Sequence, residues 1–115
     1  MKRVLVTGAS GFLGWNVVKM AKKRGFEVTA QYRTVNPKIK DVNCLKADLA
    51  IELQTVELIK ATKPEFIIHC AAASHPNFCE QNPEESFKGN VVACKNLSSI
   101  CGKEGIKLVF TSSDL

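Results

Sequence analysis

Val4-Leu5-Val6-Thr7-Gly8-Ala9-Ser10-Gly11-Phe12-Leu13-Gly14 is the stretch whose reading decides the fold. It opens as an apolar, β-branched run and becomes a turn punctuated by glycine at 8, 11 and 14. A helical pattern follows at once. Each glycine has a physical task. Gly8 lets the chain turn out of a strand where a Cβ would clash. Gly11 lets the backbone lie against a pyrophosphate, and Gly14 lets the helix pack close to the strand. A helix starting here aims unpaired N–H groups and the positive end of its dipole at phosphate oxygens. A glycine triplet alone is a weak signal. Its position between a strand and a helix makes it a phosphate-binding signal, against the plainer reading of a tight turn without a ligand.

Working outward, Arg3–Thr7 reads as a strand buried on both faces. A helix is expected from about Phe12 to Arg24, with Leu13, Val17, Met20 and Ala21 inward and Asn16, Lys19 and Lys23 outward. Gly25 ends it. Phe26–Tyr32 is a second strand, Arg33–Val42 a polar loop broken at Asn36-Pro37, and Asn43–Ala47 a short third strand. Ile51–Thr62 is helical and stops at Lys63-Pro64. Phe66–Ala71 is a fourth strand, apolar enough to be central. Asn82-Pro83-Glu84-Glu85 is a strong helix start, with Asn82 as cap and Pro83 in the first turn. That helix reaches Lys103 or Glu104 and ends at Gly105. Lys107–Thr111 is a fifth strand. The alternation predicts an α/β fold, a Rossmann-type doubly wound parallel sheet in the order 3-2-1-4-5 that stops after strand five.

The 115 residues suffice for one domain with a real core, and 45% hydrophobic content is ordinary. The net charge of +5 is spread along the chain rather than gathered into a basic stripe with aromatics between, which argues against nucleic acid. Lys19, Lys22 and Lys23 read as a solvated helix face. No apolar run approaches the roughly 20 residues of a membrane span. The five cysteines at 44, 70, 79, 94 and 101 form no C-x-x-C pair. They read as reduced, partly buried thiols in a cytoplasmic protein, and no metal site is expected.

The form Thr7-Gly8-x-x-Gly11-x-x-Gly14 resembles the short-chain dehydrogenase/reductase superfamily, and Gly11-Phe12-Leu13-Gly14 its extended branch of sugar-nucleotide epimerases, dehydratases and reductases. The run from His69 through Cys79-Glu80, Pro83-Glu84 and Asn90-Val91 resembles the dTDP-4-dehydrorhamnose reductases. The resemblance covers all 115 residues but only the first portion of a family member. It implies that residues 1–115 are the N-terminal portion of one NAD(P)-binding domain, with the rest of that domain and the substrate-binding part beyond them.

Ligands in such a sheet bind beyond the carboxyl ends of the strands. The resemblance places Gly8, Ser10, Gly11, Phe12, Leu13 and Gly14 on the cofactor. NAD-preferring members carry an acidic residue about where Tyr32 falls. Here there is none, and the adjacent Arg33 suits a 2′-phosphate. NADP is therefore expected, with NAD as the alternative; the plainer reading of Arg33 is a surface loop residue. Asp48, followed by Leu49, matches the family Asp that accepts a hydrogen bond from the adenine amino group, or caps the next helix. Ala71, Ala72 and Ala73 let backbone approach the cofactor, and Asn90 matches an asparagine that organises the site. Ser113, with Ser112 second, matches the residue that hydrogen-bonds the substrate carbonyl or hydroxyl. His69 reads as a core histidine, and His75 as a surface one that could face substrate.

The family's Tyr-x-x-x-Lys, whose tyrosine exchanges the proton in hydride transfer, is absent from these residues. The only tyrosine, Tyr32, has Asn36 four places on. Two functions fit. One is an NAD(P)-dependent reductase or epimerase acting on a nucleotide sugar, in which residues 1–115 alone are inactive and the full-length form can be a homodimer. The other is a non-catalytic NAD(P)-binding regulatory subunit of reductase-like fold.

Overall fold

The structure is a computed structural model that describes residues 2–70 and 83–111, with residues 83–88 described through their backbone alone. Five strands are present: β1 (Arg3–Thr7), β2 (Glu27–Tyr32), β3 (Asn43–Lys46), β4 (Phe66–His69) and β5 (Lys107–Phe110). Among the described residues three helices join them: α1 (Phe12–Lys23), α2 (Glu52–Thr62) and α3 (Pro83–Glu104). Every pairing is parallel and the order is β3-β2-β1-β4-β5, as expected from the sequence.

Successive residues of a strand face opposite sides of a sheet. In β1 this sends Leu5 to one core and Val4 and Val6 to the other. Leu5 and Ile67 pack with Leu58 and Ile59 of α2 and with Ala93, Leu97 and Cys101 of α3. Val4, Val6, Val28 and Ala30 pack with Val18 and Ala21 of α1. Helices therefore cover both faces, α1 on one side and α2 with α3 on the other. On the α1 side a groove of about 380 Å³ runs along the helix flank, lined by Val17, Met20, Arg24, Phe26 and Ile68 among others. It includes none of the glycine-loop residues.

The inward stripe of α1 keeps Ala21, with Val17 half-buried against the core, but differs from the expected one at Leu13 and Met20. Gly14, Val18 and Ala21 are its buried residues, whereas Leu13 is 47% and Met20 55% exposed. The helix is rotated by about one residue because it lies so close to the sheet that only small side chains fit beneath it. A Cβ added at Gly14 would collide with the carbonyl oxygen of Gly8 and stand 3.0 Å from the Cα of Ala9. The end of α1 is as expected. Gly25 is left-handed at φ +88, the Phe26 N–H donates to the Ala21 carbonyl at 3.1 Å, and the Gly25 N–H donates to the Lys22 carbonyl at 3.1 Å. This is the double bond pattern of a glycine-terminated helix.

Smaller differences lie at strand ends. Phe26, Ala47, Cys70 and Thr111 fall just outside the regular strands, and β4 ends at His69. Ala47 still donates its N–H to the Tyr32 carbonyl at 3.0 Å, and Thr111 its N–H to the His69 carbonyl at 3.2 Å, so the ladders run out gradually. The expected pairing of Pro83 with a helix start holds. Asn82 lies outside the described residues.

Candidate dinucleotide-binding site

The carboxyl ends of β1 and β4 meet where the strand order reverses, and α1 begins directly above them. Gly8 leaves β1 with φ +69, a conformation that favours glycine. The chain then folds back, with the Gly11 N–H donating to the Gly8 carbonyl at 3.1 Å. Gly11 is the N-cap of α1, in extended backbone at φ −79 and ψ 163, and makes no side-chain cap. The first turn holds no acidic residue. The first intrahelical bond joins the Trp15 N–H to the Gly11 carbonyl at 2.9 Å. The N–H groups of Phe12 and Leu13 thus precede the helical ladder, with no side-chain cap and no acidic residue in the first turn. A helix end so arranged is suited to an anion. Ser10 is exposed, and the Phe12 ring is 88% exposed, so Phe12 serves the loop through its backbone rather than through the core.

Two further amides of the turn, those of Gly8 and Ala9, are already engaged. The Gly8 N–H donates to Oε1 of Gln31 at 2.8 Å, and the Ala9 N–H donates to the Gln31 carbonyl at 2.9 Å. Gln31 also donates from Nε2 to the Ala47 carbonyl at 2.7 Å. The sequence reading did not single out Gln31. A glutamine in a strand reads as an outward polar residue, and its partners come from two other segments.

Beyond β3, Asp48 accepts the Ala50 N–H on Oδ1 at 3.0 Å, while its own N–H donates to Oε1 of Gln54 at 2.8 Å. The N-cap of α2 is Ile51, so Asp48 shapes the turn before the helix instead of capping it. Asp48 is half-buried, two residues past the end of β3. Leu49 turns its side chain into the core, and its carbonyl accepts from Thr55 Oγ1 at 3.1 Å and from Asn96 Nδ2 at 2.9 Å. Asn96 is a second residue the sequence reading passed over. Arg33 is exposed just past the end of β2. Asn90 is half-buried on α3. Ala71, Ala72, Ala73, His75, Ser112 and Ser113 lie outside the described residues.

His69 is a buried histidine, as expected. Its Nδ1 lies 2.6 Å from Thr7 Oγ1, its ring stands edge-on to Phe110 at 5.9 Å, and burial lowers its pKa to about 4. Thr7 Oγ1 also accepts the Cys70 N–H at 3.0 Å, leaving its own proton for the imidazole. Burial pushes the Cys70, Cys94 and Cys101 thiols up, so they stay protonated, and the four described cysteines are free. Among the described residues no helix is long and apolar enough to cross a membrane.

A glycine loop between the first strand and first helix of a 3-2-1-4-5 parallel sheet defines a Rossmann-type domain of the NAD-dependent epimerase/dehydratase superfamily. The family model described as "RmlD substrate binding domain" matches residues 1–115, and the chain belongs to that family. It is 37% identical over 114 residues to the methionine adenosyltransferase 2 subunit beta of Xenopus laevis, covering 98% of this chain and 33% of that protein. It is 31% identical over 109 residues to a probable low-salt glycan biosynthesis reductase of Haloferax volcanii, covering 95% of this chain and 36% of that one. Among solved structures, the Thermus thermophilus UDP-glucose 4-epimerase in complex with NAD superposes with a TM-score of 0.85 at 30% identity, over 96% of this chain and 37% of the epimerase. The chain thus spans about a third of the length of these relatives.

Proposed function

We propose that residues 1–115 are the cofactor-binding part of an NAD(P)-dependent oxidoreductase acting on a nucleotide sugar, of the 4-keto-sugar reductase or epimerase/dehydratase type. The observation that carries this is the start of α1: a glycine N-cap with no side-chain cap and no acidic first turn, set at the carboxyl end of the central strand. The residues present fit a pyrophosphate there. Gly8, Ser10, Gly11, Phe12, Leu13 and Gly14 hold it, chiefly through backbone. Arg33 meets the 2′-phosphate of NADP, and Asp48 meets the adenine with Leu49 beside it. Ala71, Ala72 and Ala73 let backbone approach the ribose, and Asn90 organises the site from α3. Ser113 donates a hydrogen bond to the substrate oxygen at the reacting carbon. The bound cofactor supplies the hydride. The reading places the protein in the cytoplasm. The Haloferax reductase and the NAD-bound Thermus epimerase support it by likeness.

A second reading has a specific observation behind it. Curated relatives that are 33–38% identical to this chain are methionine adenosyltransferase beta subunits. In that reading the same loop binds a dinucleotide, no hydride is transferred, and the partner is a catalytic protein subunit.

The experiment is NADPH oxidation by the full-length protein with a panel of 4-keto nucleotide sugars. Turnover that falls by about a hundredfold or more in Ser113→Ala supports the oxidoreductase reading. Tight NADPH binding with no turnover of any 4-keto sugar, and no epimerised or dehydrated product from the parent nucleotide sugars incubated with NAD, overturns it in favour of the regulatory subunit.

A further inference from the structure

We propose that Gln31 is the positioning residue of the dinucleotide site, the strut that keeps the glycine loop aligned with the adenosine end of the crevice. This rests on the dinucleotide-binding reading above. Gln31 is only 2% exposed, in a strand with neighbours on both sides. Burying an amide stabilises nothing unless each of its polar atoms finds a partner. Here both ends do. Oε1 takes the Gly8 N–H at 2.8 Å and Nε2 gives to the Ala47 carbonyl at 2.7 Å. The orientation of the amide is dictated by these partners. Turned over, its NH₂ would face the N–H of Gly8 and its oxygen would face a carbonyl.

The two partners belong to segments that do not pair with each other. β1 and β3 are separated by β2 in the sheet. Gly8 opens the loop that leads to Gly11, and Ala47 immediately precedes Asp48. The Gln31 side chain is therefore a direct link between the loop that faces pyrophosphate and the turn that faces adenine. The Gln31 carbonyl adds a second anchor by accepting the Ala9 N–H at 2.9 Å. An apolar residue of similar size would fill the same space but leave the Gly8 N–H and the Ala47 carbonyl unpaired. The loop would then be free to shift relative to Asp48. A ligand that spans both ends would suffer more than one that occupies the adenosine end alone.

The test measures binding to the full chain of NADPH and of adenosine 2′,5′-bisphosphate, which lacks the pyrophosphate bridge. Gln31→Met should weaken NADPH about tenfold or more, and adenosine 2′,5′-bisphosphate by less than about threefold. Gln31→Glu provides a readout that a merely structural role would not move. A protonated carboxyl has one acceptor and one donor and reproduces both bonds, whereas a carboxylate has no donor for the Ala47 carbonyl. The ratio of Gln31→Glu to wild-type affinity for NADPH should therefore rise as pH is lowered. Equal losses for the two ligands, no loss in Gln31→Met, or a Gln31→Glu ratio independent of pH overturns the inference. If Gln31→Met does not fold, the Gln31→Glu ratio alone decides. A wild-type chain that binds neither nucleotide overturns the dinucleotide reading itself, and this inference with it.

Discussion

Thr7 Oγ1 and His69 Nδ1 stand 2.6 Å apart, joining β1 to β4 at the point where the strand order reverses. The Cys70 N–H donates to the same hydroxyl at 3.0 Å, and Thr111 Oγ1 donates to the His69 carbonyl at 3.1 Å. Three strand ends are thus knitted together beneath the crevice. The imidazole accepts the Thr7 proton on Nδ1 only while it is neutral in that tautomer, and burial favours the neutral form.

A pH dependence follows from that arrangement. His69 titrates near 6.5 in the unfolded chain and near 4 in the folded one. Between those values the unfolded chain binds the extra proton, so the stability that His69 contributes is complete above pH 6.5 and declines as pH falls towards 4. The loss from this group should be about 3 kcal/mol by pH 4. Urea titrations at pH 7 and pH 4.5 check it by comparing wild type with His69→Asn. The variant should be less stable at pH 7 but show a shallower fall. An equally steep fall would assign the slope to other groups.

Gly14 sets the distance between α1 and the loop below it. Gly14→Ala forces a Cβ against the Gly8 carbonyl, which is backbone and cannot swing aside. Overpacking of this kind costs about 1–3 kcal/mol. A thermal melt should show the loss. Gly102→Ala is the control, because a Cβ there meets nothing within 4 Å. The control should be neutral or slightly stabilising, since alanine is the better helix former.

Arg33 is expected to select the 2′-phosphate. It is exposed just beyond β2, where a charge-assisted contact is worth roughly 1.5–3 kcal/mol. Arg33→Ala should weaken NADPH about tenfold or more and leave NADH nearly unchanged. Isothermal titration with both nucleotides checks it. Equal weakening of the two, or of neither, would remove Arg33 from the site.

The architecture was readable because local signals agreed: a β-branched run, a glycine turn, a helix, and a left-handed glycine at Gly25. What the chain hid was packing. Hydrophobic periodicity picks out the largest apolar side chains, so Leu13 and Met20 were expected inside α1. A helix seated tightly on a sheet selects small ones, and Gly14, Val18 and Ala21 took the inner face. Gln31 was hidden for a related reason. Its role is set by Gly8 and Ala47, each distant in sequence, and nothing local marks a strand glutamine as buried. Asn96 reaches the Leu49 carbonyl from α3 in the same long-range way. The Asp48 turn was half legible. The residue type announces a turn, but whether it caps the helix depends on where α2 begins.

The most direct test of dinucleotide binding is a fluorescence titration of NADPH against wild type and Gly11→Val. Gly11 lies at φ −79, where valine is sterically allowed, so the substitution demands no change of backbone conformation. The account predicts saturable binding by wild type, and at least about a hundredfold weaker binding by a Gly11→Val protein that still melts cooperatively. Equal affinities in two folded proteins would contradict it.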